Sequence, residues 1–110
     1  MKILNGSSNS VVKWLNLCRK AGAADAGEQP VRKALALGRA ELILLASDAG
    51  GNTRKWVERL AKPLDIRMDK AALGAVFGRG TLSVVAITNA GLAAEIREIL
   101  GGNIIGCNND

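Results

Sequence analysis

Two short apolar runs constrain the fold of this 110-residue chain most strongly. The first, ELILLAS, covers residues 41–47, and the second, LSVVAIT, covers residues 82–88. Their apolar residues are nearly continuous. A strand with one solvent-exposed face would alternate apolar and polar residues, so each run predicts a strand that is covered on both faces. Helical patterns alternate with them, which predicts an α/β fold built as a three-layer α-β-α sandwich with a small central sheet.

Five helical segments flank these strands, and residues that cap or break helices mark their ends. A short polar side chain favours a helix start because it accepts a hydrogen bond from a free backbone N–H. Gly38 and Pro63 mark helix ends, and shorter extended segments are expected at 24–26 and 64–68. The expected caps are Asn9 or Ser10, Asn52, Asp69 and Asn89. The side chains expected to face the core are Val12, Trp14, Leu15, Cys18, Val31, Ala34, Leu35, Trp56, Val57, Leu60, Ala61, Leu73, Val76, Phe77, Leu92, Ile96, Ile99 and Leu100.

The length predicts one domain over residues 9–100, with flexible segments at 1–8 and 101–110. A hydrophobic content of 48% is typical of a globular protein. No apolar run approaches the roughly 20 residues that cross a bilayer, and the first ten residues lack the apolar stretch of a signal peptide. We therefore expect a cytoplasmic protein without a membrane partner, in which Cys18 and Cys107 are reduced thiols.

The net charge and the absence of certain residue types limit the classes of function that this chain can have. Fifteen Lys and Arg against ten Asp and Glu give a net charge of +5, which favours polyanionic partners such as nucleic acid. The chain has no histidine, so His-dependent catalysis and His-liganded metals are excluded. We expect no enzymatic activity, no cofactor and no metal. Three aromatic residues and no tyrosine are too few for a platform that stacks single-stranded bases.

The segment GEQPVRKALALG, residues 27–38, is the first candidate binding site. The free amides and the dipole of a helix N-terminus attract phosphate. The spacing of Gln29, Arg32 and Lys33 predicts that they share one helix face, and Pro30 suits the first turn because it has no N–H to lose there. The same residues also fit the solvated face of an ordinary surface helix.

A second candidate, FGRGT, covers residues 77–81 and precedes the second buried strand. Its glycines allow a ligand to approach the backbone closely, and Arg79 supplies positive charge. It lacks the Gly-Lys-Ser end of a P-loop, and no dinucleotide fingerprint opens a helix elsewhere. A flexible turn is the alternative. Asp48 follows the first buried strand, but no acidic cluster accompanies it as in a phosphoacceptor domain, so we interpret it as a loop residue.

Taken in order, these segments resemble the ribosomal protein L-seven-Ae superfamily, most closely its small bacterial members. The resemblance is carried by AGEQPVRKALALGRAELILLASDAGGNTRKWVERLA and by ALGAVFGRGTLSVVAITNAG, and it covers roughly residues 12–100. It implies a mixed four-stranded sheet and a ribonucleoprotein component that binds kink-turn RNA at one end of the sandwich. A protein-interaction module of the same fold is the alternative, although that branch of the superfamily is acidic and this chain is basic.

The resemblance carries over residue by residue. Gly27 matches the motif glycine and Lys33 the lysine that contacts the RNA backbone, with Arg32 as a helper. Arg79 matches a phosphate contact in the downstream loop, and Asp48 falls in a third RNA-facing segment. The RNA-binding residues that the resemblance implies are Gly27, Glu28, Gln29, Arg32, Lys33, Asp48, Phe77, Gly78, Arg79, Gly80 and Thr81.

The chain departs from the family pattern at one point. Gln29 and Pro30 occupy the positions where kink-turn binders carry Asn-Glu, the pair that hydrogen-bonds guanine in the sheared G·A pairs. Gln29 retains an amide, but Pro30 cannot replace a carboxylate, and Glu28 lies one position early. We therefore expect bent or bulged RNA, ribosomal or linked to RNA processing, to be bound mainly through its phosphates. Ribosomal or other RNA-associated proteins are further expected partners.

Overall fold

The computed structural model describes the backbone of residues 2–108 and the side chains of residues 10–101. Three predictions concern side chains outside this range and stay predictions: those for residues 1–8, for Cys107 and for the segment 101–110. Of that last segment, only residue 101 has a described side chain. The helices and strands, in chain order, are α1 (Lys2–Lys20), β1 (Ala24–Ala26), α2 (Glu28–Ala36), β2 (Leu42–Leu45), α3 (Gly51–Leu60), β3 (Leu64–Asp65), α4 (Lys70–Val76), β4 (Val84–Ile87) and α5 (Ala90–Asn108).

The four strands form one mixed sheet in the order β1-β4-β2-β3. β4 runs antiparallel to both β1 and β2, whereas β3 runs parallel to β2. Every residue of β2 and β4 is buried, so helices cover both faces of the sheet, as the two apolar runs predicted. The predicted α/β sandwich with a small mixed four-stranded sheet is confirmed.

Helices from both ends of the chain close the core. α1 packs against α5 and α4, α5 also contacts β4, and α2 packs against β1 and β4. Leu15, Val31, Leu73 and Ile96 have no exposed surface, and full burial of such a side chain contributes about 1.5–3 kcal/mol. Cys18 is equally inaccessible; burial raises the pKa of its thiol, so that it stays protonated near neutral pH.

Two of the predicted caps are confirmed. Asp69 Oδ1 accepts a hydrogen bond of 2.8 Å from the N–H of Ala72, and Asn89 Oδ1 accepts one of 2.9 Å from the N–H of Leu92. The prediction for Asn52 is wrong, because α3 begins at Gly51 and its N-cap is Gly50, two residues before Asn52, without a side-chain hydrogen bond. Two glycines there let the backbone enter the helix without a polar cap.

The start of α1 and the length of β3 also differ from the prediction. The backbone of α1 begins at Lys2, so Asn9 and Ser10 lie inside the helix. In a helix interior, each such residue lowers helix stability by only about 0.5 kcal/mol relative to alanine. β3 ends at Asp65 rather than near residue 68, since Arg67 adopts a left-handed backbone with φ of 64°. The N–H of Arg67 donates to Asp65 Oδ1 at 2.7 Å and fixes this turn.

The predicted core holds with one clear exception. Leu60, expected to be buried, is the last residue of α3 and is 56% exposed. Thr53 is buried on the same helix instead. The remaining expected core side chains are buried or half-buried, among them Trp56 at 8% exposure.

Candidate nucleic-acid interface

The register of the sheet brings three connecting segments together at one end. Ala26, the last residue of β1, pairs with Val85, while Leu45, the last residue of β2, pairs with Val84. Beyond these pairs, the N–H of Gly27 donates to the carbonyl of Val84 at 3.0 Å. Three segments therefore lie at the same end of the sheet: the start of α2, the loop after β2 and the loop before β4.

Gly27 and Arg79 make the contact that joins the two predicted binding segments. Gly27 has a φ of 105°, a backbone conformation that residues with a side chain rarely adopt. A Cβ added there would lie 3.3 Å from Arg79 Nη1, so the guanidinium packs directly over the Cα of Gly27. Gly27 and Arg79, which are 52 positions apart in the sequence, thus form part of one surface.

The loop 77–81 rests on Gly74, a residue that the sequence reasoning missed. A Cβ on Gly74 would lie 2.9 Å from the carbonyl oxygens of Arg79 and Gly80 and from the Cα of Thr81. The N–H of Arg79 also donates to the carbonyl of Gly74 at 2.7 Å. An isolated glycine inside a helical pattern was the signal that could have identified it.

The polar side chains of α2 make two different sets of contacts. The guanidinium carbon of Arg32 lies 4.0 Å from the ring centre of Trp56 on α3. Gln29 and Lys33 instead line an open cleft of about 450 Å³. Around the helix axis, Gln29 lies between the other two residues, about 60° from Arg32 and about 40° from Lys33. The other residues lining this cleft are Asp25, Pro30 and Arg39.

The two acidic residues among the predicted contacts accept hydrogen bonds from the protein itself. Glu28 Oε2 accepts a hydrogen bond of 2.8 Å from the hydroxyl of Thr53 and so links the start of α2 to α3. Asp48 Oδ1 accepts one of 2.8 Å from the N–H of Lys70, the first residue of α4. Both carboxylates thus hold the framework of this end together, and each has a structural role that the sequence did not reveal.

The cations that line this cleft and the one in the loop 77–81 differ in their partners. Arg39 Nη2 lies 2.9 Å from Asp25 Oδ2. Over residues 10–101, whose side chains are described, neither Lys33 nor Arg79 forms an ion pair. Positive charge therefore remains unneutralised at Lys33, in the last turn of α2, and in the loop 77–81.

The remaining predicted contacts lie in that same loop. Gly78 has a φ of 68°, Gly80 and Thr81 are exposed, and Phe77 is half-buried against the core. Arg19, at the end of α1, also reaches this loop and was missed because its contact spans 57 residues. Local spacing carries no signal for a contact of that range.

In the part of the chain that the structure describes, no three Asp, Glu, Cys or His side chains are grouped so that they could hold a metal ion. Across the same residues, no helix combines the length and the apolar character needed to cross a membrane.

Comparison with known proteins places this architecture. No protein-family model matches the chain. A solved structure of a Bacillus halodurans protein of unknown function shares the fold, with a TM-score of 0.73 and 26% identity over 82% of this chain and 95% of that one. In an alignment 98 residues long, which covers 83% of this chain and 98% of the relative, the chain is 33% identical to the RNA-binding protein YlxQ of Bacillus subtilis strain 168. The protein described here thus belongs to the family of Bacillus subtilis YlxQ.

Proposed function

We propose that this protein binds RNA, without catalysing a reaction, at the end of the sheet formed by the start of α2 and the loop 77–81. The carrying observation is the guanidinium of Arg79 packed over the Cα of Gly27, which makes one surface from two basic, glycine-containing segments. The name of the Bacillus subtilis relative, an RNA-binding protein, supports the same function. The net charge of +5 favours a polyanion.

Recognition of the RNA backbone is the proposed mechanism. Lys33 and Arg79 neutralise phosphates, and the free amides at the start of α2 add donors for phosphate oxygens. Gly27 and Gly78 let the RNA approach the protein backbone closely, since neither carries a side chain. Gln29, exposed in the cleft beside Lys33, offers an amide that can donate to and accept from a base edge.

The proposed RNA is bent or bulged, of the kink-turn type, and part of the ribosome or of an RNA-processing particle in the cytoplasm. The resemblance to kink-turn binders supports an RNA whose backbone changes direction rather than a regular duplex. Pro30 supplies neither a carboxylate nor an N–H to a base. Shape and phosphate positions therefore contribute more to recognition than the G·A pairs do.

Titration with RNA over several KCl concentrations tests this function. The probes are a kink-turn RNA, the same RNA without its G·A pairs, and a regular duplex. We expect steep loss of affinity with salt, tighter binding of both bent RNAs than of the duplex, and a slope of log affinity against log salt that falls by about 0.7–0.9 in Arg79→Gln or Lys33→Gln.

Arg97→Gln is the matched control, because Arg97 is an exposed arginine at the opposite end of the sheet, where its Nη2 donates to the carbonyl of Glu41 at 3.1 Å. It should retain the wild-type slope. Binding of all three RNAs with equal affinity, or an equal change of slope in every variant, would mean that basic charge alone attracts RNA and that this end of the sheet is not the site.

A further inference from the structure

We propose that Arg19, in the last turn of α1, is a further phosphate-binding residue of this interface, so that the RNA footprint extends from α2 across the loop 77–81 to α1. The inference rests on the proposed RNA-binding function and adds an element to it. Neither the pattern of the sequence nor the resemblance placed a contact on α1.

The position of the Arg19 guanidinium is fixed by a hydrogen bond to the end of α4. Arg19 Nη1 donates to the carbonyl of Val76 at 3.1 Å, and Val76 is the last residue of that helix. The C-terminus of a helix carries partial negative charge and an unsatisfied carbonyl, so a guanidinium is favoured there. Arg19 therefore reaches the loop in a defined orientation rather than as a free side chain.

The other guanidinium nitrogen reaches the first glycine of the loop. Arg19 Nη2 lies 3.6 Å from the position that a Cβ of Gly78 would occupy. Gly78 adjoins Arg79, whose own guanidinium packs over Gly27. Two guanidinium groups are thus associated with consecutive residues of the loop. Arg19 reaches Gly78 from α1, and the side chain of Arg79 extends from the loop to the start of α2.

Arg19 keeps most of its binding capacity for a ligand. A guanidinium has five N–H donors, and one hydrogen bond, to Val76, is formed here while the side chain stays exposed. Over the residues with described side chains, no carboxylate pairs with it. A planar fork of donors with an unneutralised charge suits the oxygens of a phosphate.

The competing interpretation is that Arg19 only caps α4, and the two roles predict different measurements. A cap contributes to folding stability, while a phosphate contact contributes to the salt dependence of RNA binding. Arg19→Gln removes the charge but retains an N–H donor for Val76. Arg19→Lys retains the charge and loses the fork. Arg97→Gln, which removes an arginine with a similar carbonyl contact at the far end of the sheet, is the matched control.

The test measures the affinity of each variant for the kink-turn RNA over several KCl concentrations, together with its thermal unfolding. For Arg19→Gln we expect several-fold weaker binding at low salt and a slope reduced by about 0.7–0.9. Arg19→Lys should keep the slope and lose part of the affinity, and Arg97→Gln should keep both. In the wild-type protein, the Nε–H signal of Arg19, assigned with Arg19→Lys, should shift when RNA is added.

Wild-type affinity and slope in Arg19→Gln, with a reduced slope in Arg79→Gln, would overturn the role of Arg19 and leave the RNA-binding function standing. An unshifted Nε–H signal at saturating RNA has the same meaning, and it applies even if Arg19→Gln fails to fold. If the wild-type protein binds no RNA, the proposed function is wrong and the role of Arg19 is rejected with it.

Discussion

A single glycine determines where the basic loop can lie. Gly74 is buried in α4, and the backbone of residues 79–81 crosses it at a distance that a side chain would occupy. The neighbouring atoms are carbonyl oxygens and a Cα rather than the movable end of a side chain. The position of Arg79 over Gly27 therefore depends on the absence of one methyl group on α4.

Gly74→Ala should move the loop and weaken RNA binding. Contacts of 2.9 Å between the new Cβ and backbone atoms cannot be tolerated, so the loop must shift, at a cost of about 1–3 kcal/mol in the free energy of unfolding. Urea unfolding measures the first effect, and titration with the kink-turn RNA measures the second.

Gly51→Ala is the control, because nothing lies within 4 Å of a Cβ at Gly51. That residue opens α3, where alanine should be neutral or stabilise the helix by up to about 1 kcal/mol. If Gly74→Ala binds RNA and unfolds like the wild type, the loop does not depend on this close approach.

Individual residues show where the sequence was informative and where it was not. Asp69 and Asn89 were predicted as caps, because a cap is a local interaction with a residue three positions away. Arg19 and Gly74 were missed because each acts on a segment that only the fold brings near. For Arg32, spacing along the helix did not reveal that Trp56 on α3 lies under its guanidinium.

Two polar contacts hold α2 beside α3 at this end of the molecule. Near the start of both helices, the Thr53 hydroxyl donates to Glu28, a bond between residues 25 positions apart. One turn further along, Arg32 lies over Trp56. Since both contacts advance in the same direction, the two helices run side by side, and the start of α2 is held in a fixed orientation.

Thr53→Val should loosen this connection. Valine matches the shape of the buried threonine but donates no hydrogen bond, so we expect a loss of about 1 kcal/mol in the free energy of unfolding. Ser47→Ala is the matched control, since the Ser47 hydroxyl also donates to a carboxylate, Asp65, but in an exposed setting. Its removal should cost less, roughly 0–0.5 kcal/mol. Equal stability of Thr53→Val and the wild type in urea unfolding would contradict the role of this bond.

At the level of elements, apolar continuity was a reliable signal, whereas polar caps identified only two of the four predicted helix starts. β2 and β4 lie within the predicted runs because strands buried on both faces need side chains that are apolar at every position. The start of α3 was misplaced because Gly50 and Gly51 enter the helix without a polar cap. A cap is predicted from the polar side chain that accepts a hydrogen bond, and no side chain caps the start of α3.

The molecule as a whole is organised around β4, which pairs with β1 on one side and β2 on the other. The connections at one end of these three strands carry the proposed interface, and Arg97 and Glu41 lie at the other end. The sequence order of helices and strands was sufficient to predict an α/β sandwich with a small central sheet, and the resemblance implied that the sheet is mixed and four-stranded. The proposal that this end faces RNA also came from the resemblance, because charge and periodicity do not say which loops meet.

Hydrogen exchange followed residue by residue should reproduce this organisation. The amides of β2 and β4 should exchange most slowly, since both strands are fully buried and paired on two sides, whereas β1 and β3 at the edges should exchange faster. Addition of the kink-turn RNA should slow exchange at the start of α2 and in the loop 77–81. Protection at the opposite end of the sheet, around Glu41, would instead place the RNA elsewhere.

The hydrogen bond from the N–H of Gly27 to the carbonyl of Val84 has a consequence for how such a protein can diversify. The frame of the interface is made of main-chain atoms: the sheet sets the start of α2, and Gly74 sets the height of the loop. Gln29 is an exposed side chain on this frame. A lineage can exchange such a side chain while inheriting the same scaffold, so that the specificity of the proposed RNA site evolves separately from the fold.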